Sequence, residues 1–88
     1  MSDIVMYTTT WCPFCARAKA LMDAKGVEFE EINLDEQPNR RTEMIQRAEG
    51  RSTVPQIFID GIPVGGCDDV YELERRGKLD ELLANRIA

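Results

Sequence analysis

Histidine is absent from this 88-residue chain, cysteine occurs only three times, and no long apolar run appears in it. Each scarcity excludes something. A closed zinc site takes four Cys or His ligands, so three thiols without an imidazole fit it poorly. Secreted disulfide frameworks use four, six or eight cysteines, and an odd set leaves one unpaired; the thiols read as chemical rather than structural. The apolar runs fall far short of the roughly 20 residues that span a bilayer, and no basic-then-apolar signal pattern opens the sequence. The expected compartment is the cytoplasm.

Basic residues are also in the minority. Eleven Lys and Arg against sixteen Asp and Glu leave a net charge of −5. Nucleic-acid binding by counterion release needs a clustered cationic surface, and an anionic membrane would repel this chain, so neither is expected as a partner. What remains, 43% apolar and 31% charged residues, is the composition of an ordinary globule. The length suits one domain over residues 1–88 with a modest core.

Ile4, Val5, Met6 and Tyr7 form a near-continuous apolar run, as in a strand covered on both faces. Pro13 then suits the first turn of a helix, with Ala16, Ala20, Leu21 and Ala24 at helical spacing and Gly26 as its stop. Residues 27–34 predict a second strand, whose phase shifts between Val27 and Phe29 on one side and Ile32 and Leu34 on the other. Pro38 opens a second helix carrying Met44, Ile45 and Ala48 inward and closing near Gly50. Strand, helix, strand, helix favours parallel pairing through a right-handed crossover. Asp60-Gly61, between residues 56–59 and 62–64, is a hairpin signal, and Pro63 makes the last strand an edge. A helix from near Asp68, with Val70 and Leu73 inward, ends at Gly77; Leu79, Leu82, Leu83 and Ile87 predict a final one. Met22 and Met44 read as core filling.

The chemistry lies in Cys12 and Cys15. Residues three apart share a helix face about 5 to 6 Å apart, within reach of a disulfide. Cys12 falls where a helix begins, and unpaired amides and the positive end of the dipole favour its thiolate. Cys15, one turn further in, is the second actor, which attacks the mixed disulfide. A metal half-site or two inert packed thiols are the bland alternatives; the strand-to-helix context favours redox chemistry.

Cys12-Pro13-Phe14-Cys15, Thr53-Val54-Pro55 and Gly65-Gly66-Cys67-Asp68-Asp69 together resemble the glutaredoxin family, close to its short bacterial dithiol members, over nearly the whole chain. The resemblance implies an α/β thioredoxin fold, a four-stranded mixed sheet with helices on both faces. It also implies a thiol–disulfide oxidoreductase and electron carrier that reduces protein disulfides and glutathione mixed disulfides. Cys12 and Cys15 would be catalytic. Glutathione would serve as reductant and co-substrate, with no permanently bound cofactor and no metal. Pro55 would be cis, and the Val54 backbone would pair with the cysteinyl part of glutathione. Phe14 would supply an aromatic wall, and Thr53, Gly66, Cys67 and Asp68 would complete the site. Asp68 can equally cap its helix.

Thr9 stands three residues before Cys12, where the family often has a carboxylate-binding lysine. Arg41 matches another carboxylate-binding position, or is a solvated helix-face charge. Trp11 either shields Cys12, meets a partner, or simply packs. Cys67 reads as a bystander thiol near the glutathione site. Protein partners would be disulfide-bonded or glutathionylated proteins, ribonucleotide reductase among them, served by a monomer. Two other readings compete: a redoxin recharged by thioredoxin reductase, and an iron–sulfur carrier. Against the latter, cluster-holding members tend to have Gly after the first cysteine and Ser in place of the second, whereas Pro13 and Cys15 stand here.

Overall fold

The computed structural model describes residues 3–84. In chain order these are β1 (Ile4–Thr8), α1 (Pro13–Ala24), β2 (Glu30–Asn33), a 3₁₀ turn (Pro38–Arg40), α2 (Arg41–Arg47), β3 (Gln56–Ile59), β4 (Ile62–Gly65), α3 (Cys67–Arg75) and α4 (Lys78–Ala84). The strands form one sheet in the order β2-β1-β3-β4. β1 runs parallel to β2 and antiparallel to β3, and β3 antiparallel to β4. This is the mixed four-stranded sheet that the resemblance implies.

Alternation along the central strands sorts the core into two layers. Ile4, Met6, Ile57 and Ile59 point to one side, against Ala18, Leu21 and Met22 of α1, Val70 of α3 and Leu79 of α4. Tyr7 and Phe58 point to the other, against Ile32, Leu34, Met44 and Ala48. Both Met22 and Met44 are fully buried, as expected of core filling. The apolar run of β1 is thus continuous because both faces of the strand are covered.

Three sequence expectations change. Residues 27–29 are not strand. The chain leaves α1 through Gly26 at φ +72°, and the Val27 N–H still reaches back to the Met22 carbonyl. The phase shift survives with a reason: Val27 and Phe29 pack on the first layer, whereas Ile32 lies in the second. The second helix begins as a 3₁₀ turn at Pro38 before becoming α-helical at Arg41. The third begins at Cys67 with Gly66 as its N-cap, so Asp68 lies inside the first turn and is not the cap. Ile87, predicted on the last helix, lies outside the described residues. The hairpin is as predicted, with Asp60 and Gly61 both at positive φ, the signature of a type I′ turn. β4 is an edge strand.

Two side-chain contacts bind α3 to α1. The Tyr71 hydroxyl donates to the Arg17 carbonyl at 3.0 Å, and the Arg17 guanidinium lies 5.2 Å from the Tyr71 ring centroid. The starts of these two helices therefore keep a fixed relation, and both belong to the site.

Candidate active site

Cys12 occupies the N-cap of α1 in an extended conformation, with Pro13 following as the first helical residue. Proline suits that position, since its missing N–H would have no helical partner and its φ is already helical. The job that Ser, Thr or Asp usually does at a helix start falls to sulfur. Cys12 Sγ accepts the Cys15 N–H at 3.1 Å, satisfying one of the free amides of the first turn. A polarised N–H aimed at sulfur stabilises negative charge there. The Cys12 sulfur also lies 4.0 Å from the Val54 carbonyl oxygen.

Cys15 lies deeper in the fold than Cys12. It is 1% exposed, and burial, reinforced by the adjacent Cys12 sulfur, pushes its thiol up to about 12, against a weaker opposing hydrogen bond to the Thr9 backbone. It is therefore a neutral thiol at neutral pH. Cys67 is also buried, and burial raises its thiol too. None of the three cysteines is joined to another in a disulfide.

Beside Cys12 lies a groove of about 150 Å³. Thr53, Val54 and Pro55 line it, together with Gly66, Cys67, Asp68 and Asp69 from the start of α3, and the side chains of Phe14 and Arg51. The Val54–Pro55 peptide is cis, as the resemblance implies. Gly66 has a steric reason to be glycine, because a Cβ there would lie 3.3 Å from the Pro55 carbonyl oxygen. Gly65 has a stronger one: it sits at φ +119°, and a Cβ would collide with the Asp69 carboxylate and the Arg51 guanidinium.

The groove wall is held from behind. Buried Gln56 donates to the Thr53 hydroxyl at 3.2 Å, and Arg41 Nη1 donates to the Ser52 carbonyl at 3.0 Å. Of the residues singled out from sequence, Phe14, Thr53, Val54, Pro55, Gly66, Cys67 and Asp68 all meet at the groove, and Cys12 adjoins it. Arg41 is not among the lining residues; it braces the segment leading to Thr53. Trp11 does not pack against the fold, since it is 93% exposed.

Two lining residues escaped the sequence reading. Asp69, at the third position of α3, closes a capping box by accepting the N–H of the N-cap Gly66 at 2.8 Å, and its carboxylate pairs with Arg51 at 3.0 Å. Asp69 stood in a quoted motif without an assigned role; Arg51 had no signal beyond standing two residues before Thr53. Among the described residues no group of three or more His, Cys, Asp or Glu could hold a metal ion, and no helix is long and apolar enough to cross a membrane.

Comparison with known proteins gives a consistent result. The glutaredoxin family profile matches residues 4–64. A glutaredoxin from Pseudomonas aeruginosa is 55% identical over 84 residues, covering 96% of this chain and 99% of its own. The solution structure of glutaredoxin from Brucella melitensis superposes with a TM-score of 0.79 at 57% identity, over 94% of this chain and 89% of that one. A buckwheat glutaredoxin solved in complex with glutathione superposes with a TM-score of 0.86 at 36% identity, over 99% of this chain and 83% of that one.

Proposed function

The chain belongs to the glutaredoxin family, and from that premise we propose that it is a glutathione-dependent thiol–disulfide oxidoreductase acting on protein disulfides and glutathione mixed disulfides. The observation that carries this reading is the asymmetry of the two thiols. The Cys12 sulfur accepts an amide at a helix start, while Cys15 is buried and neutral behind it.

In the dithiol reaction the Cys12 thiolate attacks one sulfur of a protein disulfide. A Cys12–substrate disulfide forms, and the other substrate sulfur leaves as a thiolate that takes up a proton. Cys15 then loses its proton and attacks Cys12, releasing the second substrate sulfur as a thiol. The substrate has gained two electrons, and the enzyme has lost them, which leaves it oxidised with a Cys12–Cys15 disulfide. Two glutathione molecules restore the dithiol and leave as glutathione disulfide. In the monothiol reaction Cys12 takes glutathione from a glutathionylated protein, and a second glutathione removes it, without Cys15.

The groove supports glutathione as co-substrate. Val54 can pair its backbone with the cysteinyl residue, as an added strand would. The amides of Cys67 and Asp68 at the start of α3 suit the γ-glutamyl carboxylate, while the Gly66 N–H is taken by Asp69. Arg51 adds cationic charge at the same place, offset by Asp69. Phe14, half exposed, offers an apolar wall. No resident cofactor enters the scheme. The protein works as a monomer in the cytoplasm, where the glutathione pool keeps thiols reduced.

The test is reduction of a protein disulfide and of a glutathionylated substrate, with glutathione, by the wild type and two variants. Cys12→Ser should lose both activities. Cys15→Ser should lose disulfide reduction and keep deglutathionylation. A Cys15→Ser enzyme that keeps both, or loses both, contradicts the assigned roles.

A further inference from the structure

Trp11 is the chain's single tryptophan, and the glutathione reading gives it no task. It immediately precedes Cys12 yet is not among the residues lining the groove. At 93% exposure it contributes almost nothing to the core. A large apolar ring left in water is costly to solvate, and Trp is the residue type most enriched among binding hot spots.

The loop that carries it is firmly held. The Thr10 N–H donates to the Asp35 carboxylate at 2.7 Å, and the Thr10 hydroxyl accepts from the Asn33 side-chain amide at 3.3 Å. Asn33 in turn accepts the Asp35 N–H at 2.8 Å and the Glu36 N–H at 3.3 Å. The Thr10 bonds hold the Asp35 carboxyl below the usual carboxylate range, so this tether is intact at neutral pH. Trp11 is thus displayed from an ordered backbone, and a partner that covers it meets little ordering cost in the loop.

We propose that Trp11 is the anchor with which this protein grips polypeptide substrates: it takes an apolar side chain flanking the target cysteine and so separates protein disulfides from small glutathione adducts. The occupant follows from continuity with the reacting atom. A polypeptide that brings a sulfur to Cys12 comes next to residue 11, its neighbour in the chain, whereas glutathione in the groove is served by Phe14, Val54 and the start of α3. Trp11 is then a specificity residue, and Asp35 and Asn33 position it.

This inference rests on the redox reading above, and the test separates the two. Rates with glutathione are measured on insulin and on the mixed disulfide of glutathione and 2-mercaptoethanol, for the wild type, Trp11→Ala and Trp11→Phe. Trp11→Ala should lower kcat/KM on insulin about tenfold, a typical hot-spot loss, and leave the small substrate within about twofold. Trp11→Phe should recover most of the loss. Equal effects on both substrates, or none on insulin, overturn the inference and leave the redox reading standing. A wild type active on the small disulfide but not on insulin also overturns it, and a wild type inactive on both sinks the two together. The sole tryptophan supplies a second readout. In Cys15→Ser protein, a mixed disulfide between Cys12 and a single-cysteine peptide with a flanking Leu should shift its emission to the blue. The glutathione adduct should leave it unchanged, and identical spectra contradict the proposal.

Discussion

The amide of Cys15 donates to the sulfur of Cys12 across 3.1 Å, so the backbone of the buried cysteine supports the half-buried one. The pair is linked before any disulfide forms, and one of its thiols is accessible while the other is sealed. Alkylation should reveal this directly. Brief treatment of the reduced protein with iodoacetamide at pH 7 should add one carbamidomethyl group, at Cys12, as read by peptide mass spectrometry. Cys15 and Cys67, both buried, should react at least about tenfold more slowly until the protein is denatured, because a thiol must be both ionised and reachable. Comparable labelling of all three would contradict the arrangement.

The Cys15 thiol, pushed up to about 12 by burial and by the Cys12 sulfur, links stability to alkaline pH. Released into the unfolded chain, it titrates near an ordinary value of about 8.5. Below both values it is neutral in both states, and its contribution does not vary. Between them the unfolded chain gives up a proton that the folded one keeps, so stability falls as pH rises from about 9 toward 12. Denaturant unfolding of the reduced protein at pH 7 and pH 10 should show this loss, and Cys15→Ala should show less of it. An equal loss in the variant would place the effect in other groups.

Asp69 accepts the Gly66 N–H and pairs with Arg51. Asp69→Ala should cost about 1 kcal/mol, the usual size of a lost helix cap. Asp69→Asn keeps an acceptor and should recover most of that, since the half-exposed ion pair contributes little by itself. Chemical denaturation of the three proteins checks both values. If Asn and Ala variants are equally destabilised, the ion pair outweighs the cap.

Tyr7 is fully buried, with its hydroxyl donating to Glu43 and accepting from Arg47 at 2.9 Å. Its ring meets Phe58 edge to face at 5.6 Å, and the Arg47 guanidinium lies 4.7 Å from the Phe58 centroid. Tyr7→Phe preserves the ring contact and leaves Glu43 and Arg47 near enough to the surface to rehydrate. It should cost about 1 kcal/mol, the worth of a typical hydrogen bond, with redox activity unchanged. A loss of activity beyond the loss of folded protein would reveal a coupling to Cys12.

Local signals in the chain were strong wherever one residue type answers one backbone demand. Pro13 marked the start of α1, and Asp60-Gly61 marked the hairpin. The near-continuous apolar run of residues 4–7 marked a strand covered on both faces, because burial acts on each side chain through its own strand or helix period. Residues 27–29 misled for the same reason: an alternating pattern reports which side a residue faces, and an extended segment packing on the sheet shows it without pairing as a strand.

Whereas the motifs around the groove were legible only through the family resemblance, the sequence by itself determined the dithiol, its place at a strand-to-helix junction and the α/β order. These depend on spacing along the chain and on intrinsic backbone preference. Only the tertiary structure decided that Asp69 rather than Asp68 closes the capping box of α3, that Arg51 reaches the groove while Arg41 turns to Ser52, and that Trp11 stands in water while Cys15 does not. Those outcomes depend on which distant segments arrive within 3 Å of one another, and on how much solvent they leave, quantities that no local pattern encodes.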